Sequence, residues 1–211
     1  MMNPADERAH RVGILAYGSL LEEPGDEIAP LVIERIPGVV TPFRIEFFRS
    51  SPTRGGAPTV IPVENGGATV RGTVLVLHDR ISIEDARDLL WRRETRRIGT
   101  GRHYRKPTEP DPNQMIAEEL PNFAGVGVVL YARFGPTLSN PSPDELAALA
   151  IKSSMSEAGK HGLDGISYLI SLKRQGIVTP LMPAYEEALL RQTRAASLED
   201  ALKGIRPRTP G

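Results

Sequence analysis

The 211 residues carry 26 basic and 26 acidic side chains, so the formal charge cancels at neutral pH, and 40% of the chain is hydrophobic. A chain of this length can bury a sizeable core in one large domain or two small ones, and the charge balance argues against a dedicated nucleic-acid or membrane-surface protein. The absence of cysteine excludes disulfides, thiolate metal sites and a thiol nucleophile, and fits a reducing compartment.

The first predicted strand is 12–17. The segment Val12–Leu21 is apolar enough to resemble a signal core, but Asp6 and Glu7 precede it and no small-residue cleavage pattern follows. No run reaches membrane-spanning length, and the expected location is the cytoplasm. The strand ends in Tyr17-Gly18-Ser19-Leu20. A plain turn is one reading. The other is a backbone cradle, because glycine at Gly18 permits dihedrals that present successive N–H groups to an anion. Ser19 does not read as a nucleophile: it lacks the G-x-S-x-G pattern and a nearby histidine.

Further strands are expected at 31–36, 43–49, 58–63 and 69–77, punctuated by Pro37-Gly38, Gly55-Gly56 and Gly66-Gly67. Gly72, inside the strongest of these, marks a bulge or a close backbone approach. Arg49 closes the strand at 43–49. The first helix is 83–96, with Ser82 and Asp85 spaced almost as a capping box. Its residues Ile83, Ala86, Leu90 and Glu94 follow steps of three and four and share one face. Glu94 therefore extends the apolar stripe, where a carboxylate shielded from water can take part in proton transfer. The alternative is an ordinary ion pair with the adjacent Arg93 or Arg97.

The run 92–106 holds Arg92, Arg93, Arg96, Arg97, Arg102, Arg105 and Lys106 against the single carboxylate of Glu94. It reads either as a solvated surface or as a mouth for an anionic ligand. Tyr104 lies within it, and 99–113 looks like a long surface loop. The apolar run 125–134 is another central strand and contains Tyr131. Helix 143–157 is signalled by Ser142, Pro143 and Glu145, with Gly159 as its stop. Helix 164–175, which carries Tyr168, ends at Gly176. Helix 184–195 and a short helical turn after Ser197 follow, then a Pro-rich tail, Arg206–Gly211, read as loose. The four histidines, His10, His78, His103 and His161, form no local metal-ligand spacing.

Strands first and helices later predict an α+β fold. Short connections favour a mixed, mostly antiparallel sheet, curled or closed into a small barrel, with flanking helices. The chain reads as a single domain, 1–211, with a core at about 12–175 and a helical extension at 176–205.

The order of these features resembles the γ-glutamylcyclotransferase-like superfamily. The likeness runs from Tyr17-Gly18-Ser19-Leu20 through the Gly-containing strand Val70-Arg71-Gly72-Thr73-Val74 and the helix closing in Trp91-Arg92-Arg93-Glu94. It continues with the Val129-Leu130-Tyr131 strand. The Arg93-Glu94 pair, Asn140-Pro141 and the segment from Gly159 to Leu169 are similar to the ChaC-type, glutathione-degrading branch. The resemblance covers roughly residues 12–175. It implies a cofactor-independent enzyme that releases 5-oxoproline from a γ-glutamyl amine or peptide, with Glu94 as general acid and base. It places Tyr17, Gly18, Ser19, Leu20, Arg49, Tyr104 and Tyr131 around the substrate, and implies neither a metal nor an organic cofactor. Two other readings stay open: a ligand-binding module on the same scaffold without the chemistry, and a nucleic-acid or phospho-ligand adaptor working through 92–106.

Overall fold

The computed structural model describes residues 8–205; the tail Arg206–Gly211 lies outside them. The chain forms two compact units, each made of two segments: Met1–Thr41 with Arg71–Gly135, and Pro42–Val70 with Pro136–Gly211.

The first unit is built on a five-stranded sheet. Its strands are β1 (Val12–Ala16), β2 (Val32–Val40), β5 (Arg71–Leu77), β6 (Ile116–Phe123) and β7 (Val126–Arg133), in the order β2-β5-β1-β7-β6. β1 is antiparallel to β5 and parallel to β7, and the other pairings are antiparallel. The sheet is therefore mixed, as expected. It does not close into a barrel, because among the described residues β2 and β6 each have a strand partner on one side only and the remaining two strands form a separate sheet.

The register sorts side chains onto two faces. Ile14 stands opposite Leu75 on one side and Leu130 on the other. With Val12, Ala16 and Leu77 these residues form a cluster that takes in Ala86, Leu89 and Leu90 of the helix α2 (Ile83–Glu94). The helix is set by a full capping box: the Ser82 hydroxyl accepts from Asp85 N–H, and the Asp85 carboxylate accepts from Ser82 N–H.

Two expectations change here. Pro37-Gly38 does not separate strands but lies inside β2 as a bulge, with Gly38 at φ 74°. The bulge falls beside Gly72, where an added Cβ would stand 2.8 Å from the Ala16 carbonyl oxygen. Strand β6 was not anticipated. Its sequence, IAEELPNF, is half polar because it runs along an edge, and edges are also where Pro37 and Pro121 are tolerated. It returns into β7 through Ala124 and Gly125, both at positive φ, the geometry of a two-residue hairpin turn.

The second unit pairs β3 (Arg44–Ser51) with β4 (Ala57–Val63) and adds five helices among the described residues. These are α3 (Pro143–Ser154), α4 (Glu157–Lys160), α5 (Gly165–Arg174), α6 (Met182–Thr193) and α7 (Leu198–Ile205). The helix expected at 143–157 stops at Ser154 and a separate turn, α4, follows. Gly159 is not a stop but a close approach, since a Cβ there would lie 2.4 Å from the Ser154 carbonyl oxygen. Gly176 does end α5, at φ 69°, with Ile177 N–H reaching the Leu172 carbonyl and Gly176 N–H the Lys173 carbonyl.

Two buried carboxylates organise this unit. Asp164 caps α5, accepting from the N–H groups of Ile166 and Ser167 and the hydroxyls of Ser154 and Ser167. Glu46 on β3 accepts from Phe47 N–H, the Thr179 hydroxyl and Leu181 N–H. Leu181 is the residue before α6 and has no capping side chain of its own, so Glu46 fills that role from a distant strand. Asp164→Ala strands donors at the end of α3 and the start of α5 and should lower the unfolding free energy by about 3 kcal/mol. Ser142→Ala, which removes only one exposed cap, should cost about 1 kcal/mol. Urea titration of both variants checks the contrast.

Candidate functional site

The strand end and the end of α2 meet through two neighbouring arginines. After β1 the chain turns at Gly18, whose φ of 59° and ψ of −136° lie outside the regions open to a residue with a Cβ. The single helical turn α1 (Ser19–Glu22) follows. Leu21 N–H closes on the Gly18 carbonyl and Glu23 N–H on the Ser19 carbonyl, so the N–H groups of Ser19 and Leu20 precede the first closed turn. Leu20 is buried in the α2 cluster and fixes this turn to the core. Tyr17 is half-buried at the end of the strand.

Glu94 is the last residue of α2 and continues the face that buries Ala86 and Leu90. Its side chain is 18% exposed and that of Arg93 12%. Arg93 Nη1 donates to Glu94 Oε1 at 2.6 Å, and the same nitrogen lies 3.4 Å from Ser19 Oγ. The other edge of the guanidinium, Nε and Nη2, donates to the Glu23 carbonyl at 3.1 and 2.7 Å. One planar group thus joins Ser19, the end of α1 and Glu94. The sequence offered Arg93 as a possible ion-pair neighbour of Glu94, as half of the Arg93-Glu94 pair and as part of the basic run. Its signal was a guanidinium placed beside a carboxylate on the buried face.

Arg92 makes the second tie. Its Nε donates to Glu27 Oε2 at 2.7 Å and its Nη1 to the Arg102 carbonyl at 2.9 Å. Glu27 Oε1 accepts from Gly99 N–H. Glu27 had no sequence signal, being one of several acids in a polar turn. Burial pushes its carboxyl up, but the hydrogen bonds from Arg92 and Gly99 and the charge of Arg92 outweigh this and hold it below its ordinary value.

Beyond Glu94 the chain leaves the helix through Arg96 at φ 56°. Arg96 N–H reaches the Arg93 carbonyl and Arg97 N–H the Arg92 carbonyl, so an arginine occupies the left-handed seat that glycine usually takes. Arg97 then stacks over Trp91, 4.7 Å from the ring centroid. Arg96, Arg102, Arg105 and Lys106 are exposed.

Tyr104, in the loop that follows α2, is tied to another part of that helix. Its N–H donates to Asp88 Oδ1 at 2.6 Å, and its hydroxyl accepts from Ala117 N–H at 3.2 Å. With Arg87, Asp88, Lys106 and Glu119 it lines a cleft of about 360 Å³. Asp88 and Glu94 are about 120° apart around the helix and about 9 Å along it, so this cleft belongs to another face of α2. Tyr131 sits between Leu130 and Ala132, which face α2, so its ring lies on the opposite face of the sheet. Burial, aided by the charge of Glu118 and opposed by that of Arg133, pushes its hydroxyl up. Arg49 belongs to β3 of the second unit, where it is buried and its carbonyl accepts from the Thr59 hydroxyl. The arrangement that unites sequence-selected residues is thus Ser19, Leu20 and Glu94, joined by Arg93.

Among the described residues no three His, Asp or Glu side chains stand close enough together to hold a metal ion, and no helix is long and apolar enough to cross a membrane. No family model matches the chain, and no curated protein matches it in sequence.

The Glu27 anchor has a pH signature. Its folded carboxyl titrates below the unfolded value of about 4.3, so its contribution is present above that value and is lost as pH falls through the folded one. The hydrogen-exchange protection factor of Gly99 should therefore fall as the medium is acidified below about pH 4.3, and Glu27→Gln should remove that dependence. Tyr104→Phe, which strands the Ala117 N–H, should cost about 1 kcal/mol in urea unfolding.

Proposed function

We propose that the protein is a γ-glutamylcyclotransferase, releasing 5-oxoproline from a γ-glutamyl amine or peptide such as glutathione. The observation that carries this reading is the Arg93 bridge. It links the Ser19 turn to a half-buried carboxylate contributed by a helix 75 positions further along the chain.

The reaction is an intramolecular aminolysis. The α-nitrogen of the glutamyl group attacks its own γ-carbonyl carbon, a new C–N bond closes the five-membered ring, and the bond to the leaving nitrogen breaks. Glu94 takes one proton from the α-ammonium group and a second from the attacking nitrogen as the ring closes, and passes them to the leaving nitrogen, which departs as an ammonium group, so no water is consumed. The N–H groups of Gly18, Ser19 and Leu20 hold the glutamyl portion, with the Ser19 hydroxyl as a further hydrogen-bonding group. Holding amine against carbonyl in this way is worth about 7–11 kcal/mol of barrier.

The reading is tested by incubating the protein with glutathione and simple γ-glutamyl amines and measuring 5-oxoproline. Glu94→Gln keeps the side chain's shape but cannot cycle the proton, and should lower kcat by roughly 10²- to 10⁴-fold. Release of 5-oxoproline by neither protein, or by both equally, would remove Glu94 from this role. Binding of the γ-glutamyl compound without turnover would point to the ligand-binding module. A second reading draws on the exposed cations Arg96, Arg102, Arg105 and Lys106, carried by a loop anchored on Glu27 and Asp88. A polyanion-binding surface of that kind would lose affinity steeply with added salt.

A further inference from the structure

The guanidinium of Arg93 has two edges in different situations. The Nε/Nη2 edge is fixed on the Glu23 backbone carbonyl, and this attachment does not involve Glu94. The Nη1 corner carries Glu94 Oε1 at 2.6 Å, with Ser19 Oγ 3.4 Å away. Glu94 has no other hydrogen-bond partner among the described residues. Its carboxylate can therefore leave Nη1 without releasing Arg93 from the α1 turn. A half-buried cation cannot be left without a counter-ion except at high cost, so whatever displaces Glu94 must itself be an anion able to meet a planar donor group. A carboxylate is such an anion.

We propose that Arg93 Nη1 receives the α-carboxylate of the substrate, and that this carboxylate replaces that of Glu94. The inference rests on the γ-glutamylcyclotransferase reading and deepens it. Before binding, one oxygen of the Glu94 carboxylate is occupied by the guanidinium. Binding exchanges one carboxylate for another at the same nitrogen, so charge balance is kept throughout. The Ser19 hydroxyl lies beside Nη1 and donates to the second oxygen of the incoming carboxylate. The α-carboxylate and α-ammonium groups share one carbon, so docking the first brings the second next to the displaced Glu94. The base is thus released beside the proton it takes. Arg93 acts as the specificity-determining residue, making turnover conditional on a free α-carboxylate.

The test compares two γ-glutamyl anilides, one with a free α-carboxylate and one with an α-carboxamide, on wild type, Arg93→Gln and Arg93→Lys. Circular dichroism and thermal melting establish that each variant is folded. Wild type should favour the carboxylate compound in kcat/KM by roughly 10- to 100-fold, the range of one charge-assisted hydrogen-bond set. Arg93→Gln should lose about that factor more on the carboxylate compound than on the carboxamide, erasing the preference. Arg93→Lys keeps the charge and should retain most of the preference. Equal losses on both compounds in Arg93→Gln would make Arg93 only a tie between α1 and α2 and overturn the proposal, leaving the functional reading intact. An unchanged preference in Arg93→Gln would overturn it in the same way. A wild-type protein that releases 5-oxoproline from neither compound would overturn both together, an outcome recognisable because wild type itself is then silent.

Discussion

Two consecutive guanidinium groups decide where the end of α2 stands relative to the end of β1. Arg93 grips the α1 turn and Arg92 grips Glu27 eight residues after Ser19. Consecutive side chains on a helix diverge by about 100°, so the two ties pull on different parts of the same connection and leave it little freedom to rotate. Each guanidinium also caps a neighbouring backbone carbonyl, of Glu23 and of Arg102, giving the buried fork several acceptors at once. Placing both cations in the last turn of α2 suits the helix dipole as well. Without them the Ser19 turn would be held to the core mainly by Leu20.

The acidic side chains fall into two kinds by the company they keep. Asp164 and Glu46 of the second unit are surrounded by neutral N–H and hydroxyl donors fixed by caps and strand ends. Their oxygens are satisfied, and moving them would unmake the local fold. Glu94 meets a single cation whose own position is secured from the other side. A carboxylate in that state can be exchanged without structural penalty to its surroundings. Asp164 and Glu46 are the more deeply buried, and they also differ from Glu94 in the nature and number of their donors.

Much of this organisation was legible in the sequence, because it is written in local periodicity and capping chemistry. Ser82, Ser142 and Gly176 mark helix ends through contacts within a few residues, and the apolar runs at β1, β5 and β7 announce central strands. What stayed hidden depends on distant partners. IAEELPNF conceals β6, since an edge strand needs no continuous apolar face. Pro37 looked like a separator because a proline inside a strand is tolerated only where the sheet ends, which a single strand cannot reveal. The loop 99–113 appeared free, although Asp88 and Glu27 hold it by backbone N–H groups. The arginines of 92–97 looked like one charged run, yet they divide by contact. Arg92 and Arg93 are ties, Arg96 terminates the helix, and Arg97 lies as a lid on Trp91. The Glu94 stripe was visible from spacing; its partner was adjacent in the sequence, and only the fold shows that this partner also reaches Ser19.

The open sheet has a further consequence. Both of its outer strands carry proline, Pro37 in β2 and Pro121 in β6, and both carry acidic residues along the same stretch, Glu34 on one and Glu118 and Glu119 on the other. A sheet with two unclosed rims is ordinarily a template on which another chain can polymerise. Here a missing N–H interrupts each rim, the bulge at Gly38 breaks the register of one of them, and the carboxylates keep charged ion pairs at the edges. These features oppose edge-to-edge pairing of the sheet without closing it into a barrel.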